Sequence, residues 1–253
     1  MIVHDTLPNG VRLVTETMPH VRSVSLGVWL ARGSRHEEPA QGGIAHFIEH
    51  MLFKGTERRS AQEIAQQFDS MGGNLDAFTS KEYAGYYIKV MDEHLPRAFD
   101  ILSDLVLHPA FPADEIEREK KVILEEIKMV EDTPDDLVHE LFTEQYWADH
   151  PLGRPILGTP ETVSRFTRDA LQAYFRSAYV GRNLIVSAAG NFEHAALRGM
   201  VEDAFGAVAD AGADWQEEPP AARPPHIERI KDLEQSHIVI GTPGYPQAHG
   251  DRY

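Results

Sequence analysis

The chain contains no cysteine. That single absence excludes disulfide scaffolds, thiolate metal sites and cysteine nucleophiles. Basic residues are scarce: 24 Lys and Arg stand against 40 Asp and Glu, a formal charge of −16 with His neutral. So acidic a chain is poorly suited to displacing counterions from a phosphate backbone, so no nucleic acid is expected as a partner. Long apolar runs are missing too, and nothing approaches the roughly 20 residues of a membrane span. The opening Met1-Ile2-Val3-His4-Asp5 has neither the basic nor the apolar region that marks a chain for export. The expectation is a soluble, cytoplasmic protein, bacterial in style, with no membrane partner. What the chain does have is histidine, 13 in 253 residues. At 42% hydrophobic and 25% charged, its composition is that of a globular protein with chain enough for a real core.

The first stretch reads as β. Ile2–Leu7 and Val11–Thr17 flank Pro8-Asn9-Gly10, a hairpin signal because Asn-Gly adopts positive φ cheaply. Val24, Leu26, Val28 and Leu30 alternate as a strand with one buried face. Gly42-Gly43 breaks the chain before 44–54, too densely apolar for a strand and read as a buried helix. Ser60 and Glu63 form a capping box for a helix to Met71, and 74–80 and 83–90 follow as strands. Beyond Asp92 the period becomes helical: a stripe of Leu95, Phe99, Leu102 and Val106, then helices over 113–131, 134–147, 160–166, 168–179 and 195–205, interrupted by a buried strand at 184–189. Grouped helices with a largely antiparallel sheet predict an α+β fold, helices on one face. The Pro/Ala-rich stretch 207–225 reads as a linker. It divides a domain at 1–206 from 226–253, where a strand is expected at 237–242 in a segment too short to be a domain alone.

His46-Phe47-Ile48-Glu49-His50 carries the chemistry. On a helix, His46 and His50 lie one turn apart on one face, so both imidazoles can reach one ion. Glu49 projects beside them, able to take a proton from water. Zinc suits imidazole and carboxylate donors with one open position. Placing such residues in an apolar helix costs stability unless they are satisfied together.

Two histidines leave a third ligand to find. The helix 113–131 offers several glutamates around a stripe of Ile116, Ile123, Ile127 and Val130. At 100° per residue, Glu119 lies about 40° and Glu126 about 60° from Ile123, whereas Glu125 lies about 160° away. Glu119 and Glu126 are thus both candidates on the inward face.

These residues carry a resemblance. Gly42–Ala45 leading into His46–His50 and Met51–Thr56, together with Gly72–Thr79, Glu117–Met129 and Glu131-Asp132-Thr133-Pro134, is similar to the signature of the pitrilysin/insulinase family of inverted zincins. That family includes mitochondrial processing peptidase, and the chain looks closest to bacterial relatives of its beta subunit, as an N-terminal half. Gln235-Ser236-His237 resembles the opening of the family's second homologous domain. The resemblance implies one Zn²⁺ per chain held by His46, His50 and Glu126, with Glu49 as general base and Glu119 as an auxiliary acid. It also implies that peptide substrate adds as a strand to Asn74, Leu75, Asp76, Ala77 and Phe78. Asp76 departs from the family, where Asn is common.

Other features are weaker. Tyr83, Tyr86 and Tyr87 read as sheet packing. His94, His108, His139, His150 and His194 lack paired spacing, and Gly27–Gly33 makes no phosphate-binding loop. The implied function is a zinc metalloendopeptidase acting on unfolded peptides or presequences, working with a second homologous half or a partner subunit, and weak or inactive as this piece alone. The alternative is a non-catalytic subunit of the same family that binds peptide or another chain. Such subunits usually lose motif residues, and His46, Glu49, His50 and Glu126 are all present. A metal-storage module would not need Glu49.

Overall fold

At the first turn, Gly10 N–H reaches Leu7 O and Leu7 N–H reaches Val11 O. Only Gly10 takes positive φ, at 87°. Asn9 stays outside the left-handed region, so the turn is a type I bend closed by a glycine bulge rather than the Asn-Gly turn expected from sequence. The reason is tertiary: the Asn9 amide is engaged, donating to Phe205 O at 2.8 Å and Val208 O at 2.9 Å. The computed structural model describes residues 1–212, 219–223 and 226–252.

The strands are β1 (Ile2–Thr6), β2 (Arg12–Thr17), β3 (Ser23–Leu30), β4 (Asn74–Thr79), β5 (Ala84–Met91) and β6 (Leu184–Gly190), forming one sheet in the order β1-β2-β6-β3-β5-β4. Only the β2–β6 pairing is parallel; the other neighbours run antiparallel. The helices are α1 (Ile44–Leu52), α2 (Ala61–Met71), α3 (Leu95–Leu107), α4 (Ala113–Asp132), α5 (Pro134–Tyr146), α6 (Pro160–Ser164), α7 (Arg168–Ala178) and α8 (His194–Phe205). The fold is α+β, as expected.

Alternation along β3 decides where the core sits. Val24, Leu26, Val28 and Leu30 are buried in one continuous core with Phe47, Ile48, Phe99, Leu102, Ile123 and Phe205. The intervening Ser25, Gly27 and Trp29 face away, and with Phe78, Tyr87 and Ser187 they line an open hollow of about 600 Å³ on the other side of the sheet. Tyr86 packs inward, its hydroxyl 2.5 Å from that of Tyr179.

Local signals place the helices near their expected positions. Ser60 and Glu63 form the capping box of α2, with Glu63 N–H to Ser60 Oγ at 3.2 Å and Ser60 N–H to Glu63 Oε2 at 2.8 Å. Pro134 stands in the first turn of α5, where its missing N–H costs nothing. Among the described residues, no helix is long and apolar enough to cross a membrane.

Two expectations meet a different outcome after α8. The linker 207–225 falls partly outside the described residues, at 213–218, 224 and 225. The strand expected at 237–242 does not form. That segment runs beside α5 instead, with His237 Nδ1 2.6 Å from Asp135 Oδ1 and Gly241 against the Phe142 ring. Among the described residues no neighbouring strand offers a ladder there, and Ile238 and Ile240 stay 79% and 89% exposed. Alternation alone makes no strand without a partner.

Candidate metal centre

Helix α1 begins at Gly43, which adopts φ 92°. A β carbon there would meet Leu157 O at 2.6 Å, so the turn into α1 needs glycine for both conformation and space. The helix then buries Ile44, Phe47, Ile48, Met51 and Leu52. That phase turns His46, Glu49 and His50 away from the deepest packing and towards α4 and the end of β4. The two imidazoles lie side by side, ring centroids 4.6 Å apart.

Glu126 of α4 meets both rings. Its Oε2 lies 3.9 Å from His46 Nε2 and 3.7 Å from His50 Nε2. Both distances are too long for hydrogen bonds. They are close to the roughly 3.4 Å that separates donors around a tetrahedral ion with bonds of about 2.1 Å. Glu126 Oε2 is buried without a hydrogen-bond partner, the mark of a donor arranged for something other than its neighbours. Among the described residues, His46, His50 and Glu126 form the one group whose donor atoms converge within 4.8 Å. Burial, with His50 adding to it, lowers the His46 pKa to about 3, so that imidazole stays in the neutral form that binds a cation. The residues fit zinc.

The structure separates Glu119 from Glu126, which helix phase alone left together on the inward face. Glu119 is 3% exposed and touches His50 from behind: its Oε2 lies 2.9 Å from His50 Nδ1, and its Oε1 2.7 Å from Lys54 Nζ. Glu125 points outward and pairs with Lys128 at 2.6 Å. Glu49 accepts a hydrogen bond from the Thr79 hydroxyl at the end of β4. Burial raises the Glu49 pKa, and the Thr79 bond opposes that rise.

Among the described residues, strand β4 is an edge of the sheet, pairing only with β5. Leu75 and Ala77 pack on the core. Asn74 and Asp76 are exposed, and Asp76 accepts from the Tyr87 hydroxyl at 3.0 Å. The free edge of the expected substrate segment therefore ends beside Glu49. Of the other histidines, His194 bridges Thr15 Oγ1 at 2.7 Å and Asp5 Oδ2 at 3.2 Å, and His150 Nδ1 accepts from Leu152 N–H at 3.2 Å. Sequence reasoning missed Thr79 and Lys54. The two-residue period of β4 puts Thr79 on the face of Leu75 and Ala77, and Lys54 follows His50 by four residues, so both had a local signal.

Known proteins resemble the chain throughout. The family model described as Insulinase (Peptidase family M16) matches residues 12–160, and that described as Peptidase M16 inactive domain matches 165–253. The second match begins inside the folded unit described above, because β6 lies between β2 and β3. A Bacillus subtilis protein named an uncharacterized zinc protease is 46% identical over 249 residues, spanning 98% of this chain and 61% of that one. A Streptomyces coelicolor protein of the same description is 42% identical over 260 residues, spanning 98% of this chain and 56% of that one. The chain thus spans about three fifths of these relatives. Among solved structures, a protease from Helicobacter pylori superposes with a TM-score of 0.81 at 22% identity, over 88% of this chain and 55% of that one. A Pseudomonas fluorescens structure described as a peptidase M16 inactive domain gives 0.81 at 20% identity, over 87% and 54%. At such identities the structures share the fold.

Proposed function

This chain belongs to the insulinase family, peptidase family M16, and on that premise we propose that it is the zinc-binding catalytic half of a metalloendopeptidase acting on unfolded peptides or presequences. One observation carries the reading: His46 Nε2, His50 Nε2 and Glu126 Oε2 converge, with Glu49 held beside them by Thr79. His46, His50 and Glu126 would hold one zinc ion. When bound, zinc supplies a Lewis acid and lowers the pKa of a water molecule.

The protein's own groups do the rest. Glu49 takes the proton of the attacking water at its carboxylate and passes it to the leaving amine. Thr79 fixes the direction of that carboxylate. Glu119 accepts from His50 Nδ1–H and thereby turns Nε2 towards Glu126. Peptide substrate adds to the open edge of β4 at Asn74–Phe78, which runs towards Glu49 and leaves alternate side chains to face Asp76 and Phe78. We assign residues 1–206 as the catalytic domain, 207–225 as the linker and 226–253 as the start of a second homologous domain. A non-catalytic subunit would have no use for Glu49 in place beside the donor set.

The test is zinc content and hydrolysis of a quenched unfolded peptide, with and without the second half. Glu49→Gln should keep stoichiometric zinc and abolish cleavage, whereas His46→Ala should lose both. Full cleavage by Glu49→Gln would remove the general base from this account.

A further inference from the structure

Helix α1 has no capping side chain at its own N-terminus, because its cap position is Gly43. The N–H groups of a first turn must nevertheless find acceptors. Glu37 supplies them from six residues upstream: its Oε2 accepts from Gly43 N–H at 2.8 Å. Its Oε1 accepts from Ala45 N–H, also at 2.8 Å. Glu37 is 4% exposed. From the other side, the Thr162 hydroxyl donates to Gly42 O at 2.7 Å. The turn is gripped at both ends.

Such a carboxylate is a poor way to stabilise a fold. Burial pushes Glu37 up to about 7, although the two N–H bonds and the charges of Arg154 and Lys81 pull it down. A buried charge held at that expense adds little net stability, and a neutral replacement is often as good. The helix it holds is nine residues long, short enough that its first turn governs its direction. That helix carries His46, Glu49 and His50, whereas Glu126 stands on α4. A rotation of α1 by 10–20° is on the order of what a metal centre cannot tolerate.

We propose that Glu37 is a positioning residue of the metal centre. Its two oxygens clamp the N-terminal turn of α1 and set the angle at which His46 and His50 face Glu126. The clamp acts at Ala45 N–H, one residue before the first ligand, and its negative charge also suits the positive end of the helix. The inference rests on the zinc reading above.

The experiment measures zinc affinity, the cobalt(II) absorption spectrum and thermal melting on this 253-residue chain. Glu37→Gln keeps the shape of the side chain but replaces one acceptor with a donor. It should melt within a few degrees of the unaltered protein, bind zinc about tenfold more weakly, and show shifted cobalt(II) bands. Glu37→Ala should weaken zinc further, and where it does not fold the Gln variant decides alone. Glu38→Gln, at the exposed neighbouring position, should match the unaltered protein. Unchanged zinc affinity and cobalt(II) bands in Glu37→Gln would overturn the positioning role, whatever its melting temperature. Failure of the zinc reading looks different: the unaltered protein and His46→Ala would then bind zinc equally poorly.

Discussion

Glu119 Oε2 lies 2.9 Å from His50 Nδ1 while its other oxygen lies 2.7 Å from Lys54 Nζ. The carboxylate is therefore fixed at both oxygens. His50 cannot turn its ring over without leaving that buried carboxylate short of a partner. Its Nε2 is thus committed to the side where Glu126 stands.

This division of roles predicts an order of zinc affinities. Glu126→Gln removes a direct donor and should weaken zinc most, by well over a hundredfold. Glu119→Gln disturbs only the orientation of His50 and should cost about 10–100-fold. Glu125→Gln removes an exposed partner of Lys128 and should cost nothing measurable. Competition against a chromophoric chelator reads all three. If Glu125→Gln were the most damaging, the phase of α4 would be wrong.

The Thr79 hydroxyl predicts a separate effect on rate. Thr79→Val keeps the shape of the side chain and removes the donor to Glu49. Zinc affinity should be unchanged, because Thr79 touches no donor of the ion. With the second half present, kcat should fall about tenfold while KM moves little, since the lost bond orients a base rather than binding substrate. A Thr79→Ser variant should restore the rate. A fall in zinc affinity without a fall in kcat would place Thr79 in the wrong role.

Glu37 makes the stability of the metal-free chain depend on pH. Its folded pKa, raised to about 7 from 4.5, means the folded state binds more protons than the unfolded state between those values. The sign follows: this carboxyl favours the fold below about pH 4.5, and its contribution is lost as pH rises through about 7. The full swing is on the order of 3 kcal/mol at most. Denaturant melts of the unaltered protein and Glu37→Gln should therefore diverge, the unaltered protein losing ground to the variant as pH rises across that window. A gap that stays constant from acid to neutral pH would mean that Glu37 titrates as an ordinary surface carboxyl.

Much of this architecture was legible because its signals are local. The i,i+4 histidines, the capping box at Ser60 and the stripe of Ile116, Ile123 and Ile127 each depend on neighbours within a turn or two, and each stands where its period placed it. Glu119 and Glu126 were both on the inward face by that period. Which of them faces both rings depends on where α1 crosses α4, and no helical period contains that crossing. The contacts of Glu37 escaped for a related reason: a carboxylate in a loop carries no pattern saying which N–H groups it will find. The parallel pairing of β6 with β2 joins residues more than 160 positions apart, beyond any local rule. At Asn9 the local rule was overridden by its bonds to the end of α8.

The division of the molecule yields the last prediction. Every proposed donor to zinc lies on α1 or α4, and both helices pack in the core of the described fold. Zinc binding should therefore belong to residues 1–253 alone, at about one ion per chain. Hydrolysis asks for more. A peptide laid on the edge of β4 is gripped on that side by backbone bonds that water can also make. The relatives are longer, this chain spanning 61% of the Bacillus subtilis protein. If the remainder supplies the opposing wall, cleavage by 1–253 should be weak or absent, and should rise by orders of magnitude when a separately made second half is added. The increase should saturate with the amount of that half, and Glu49→Gln should abolish it. Robust turnover by 1–253, purified free of any other chain, would show that the catalytic apparatus is complete on this side.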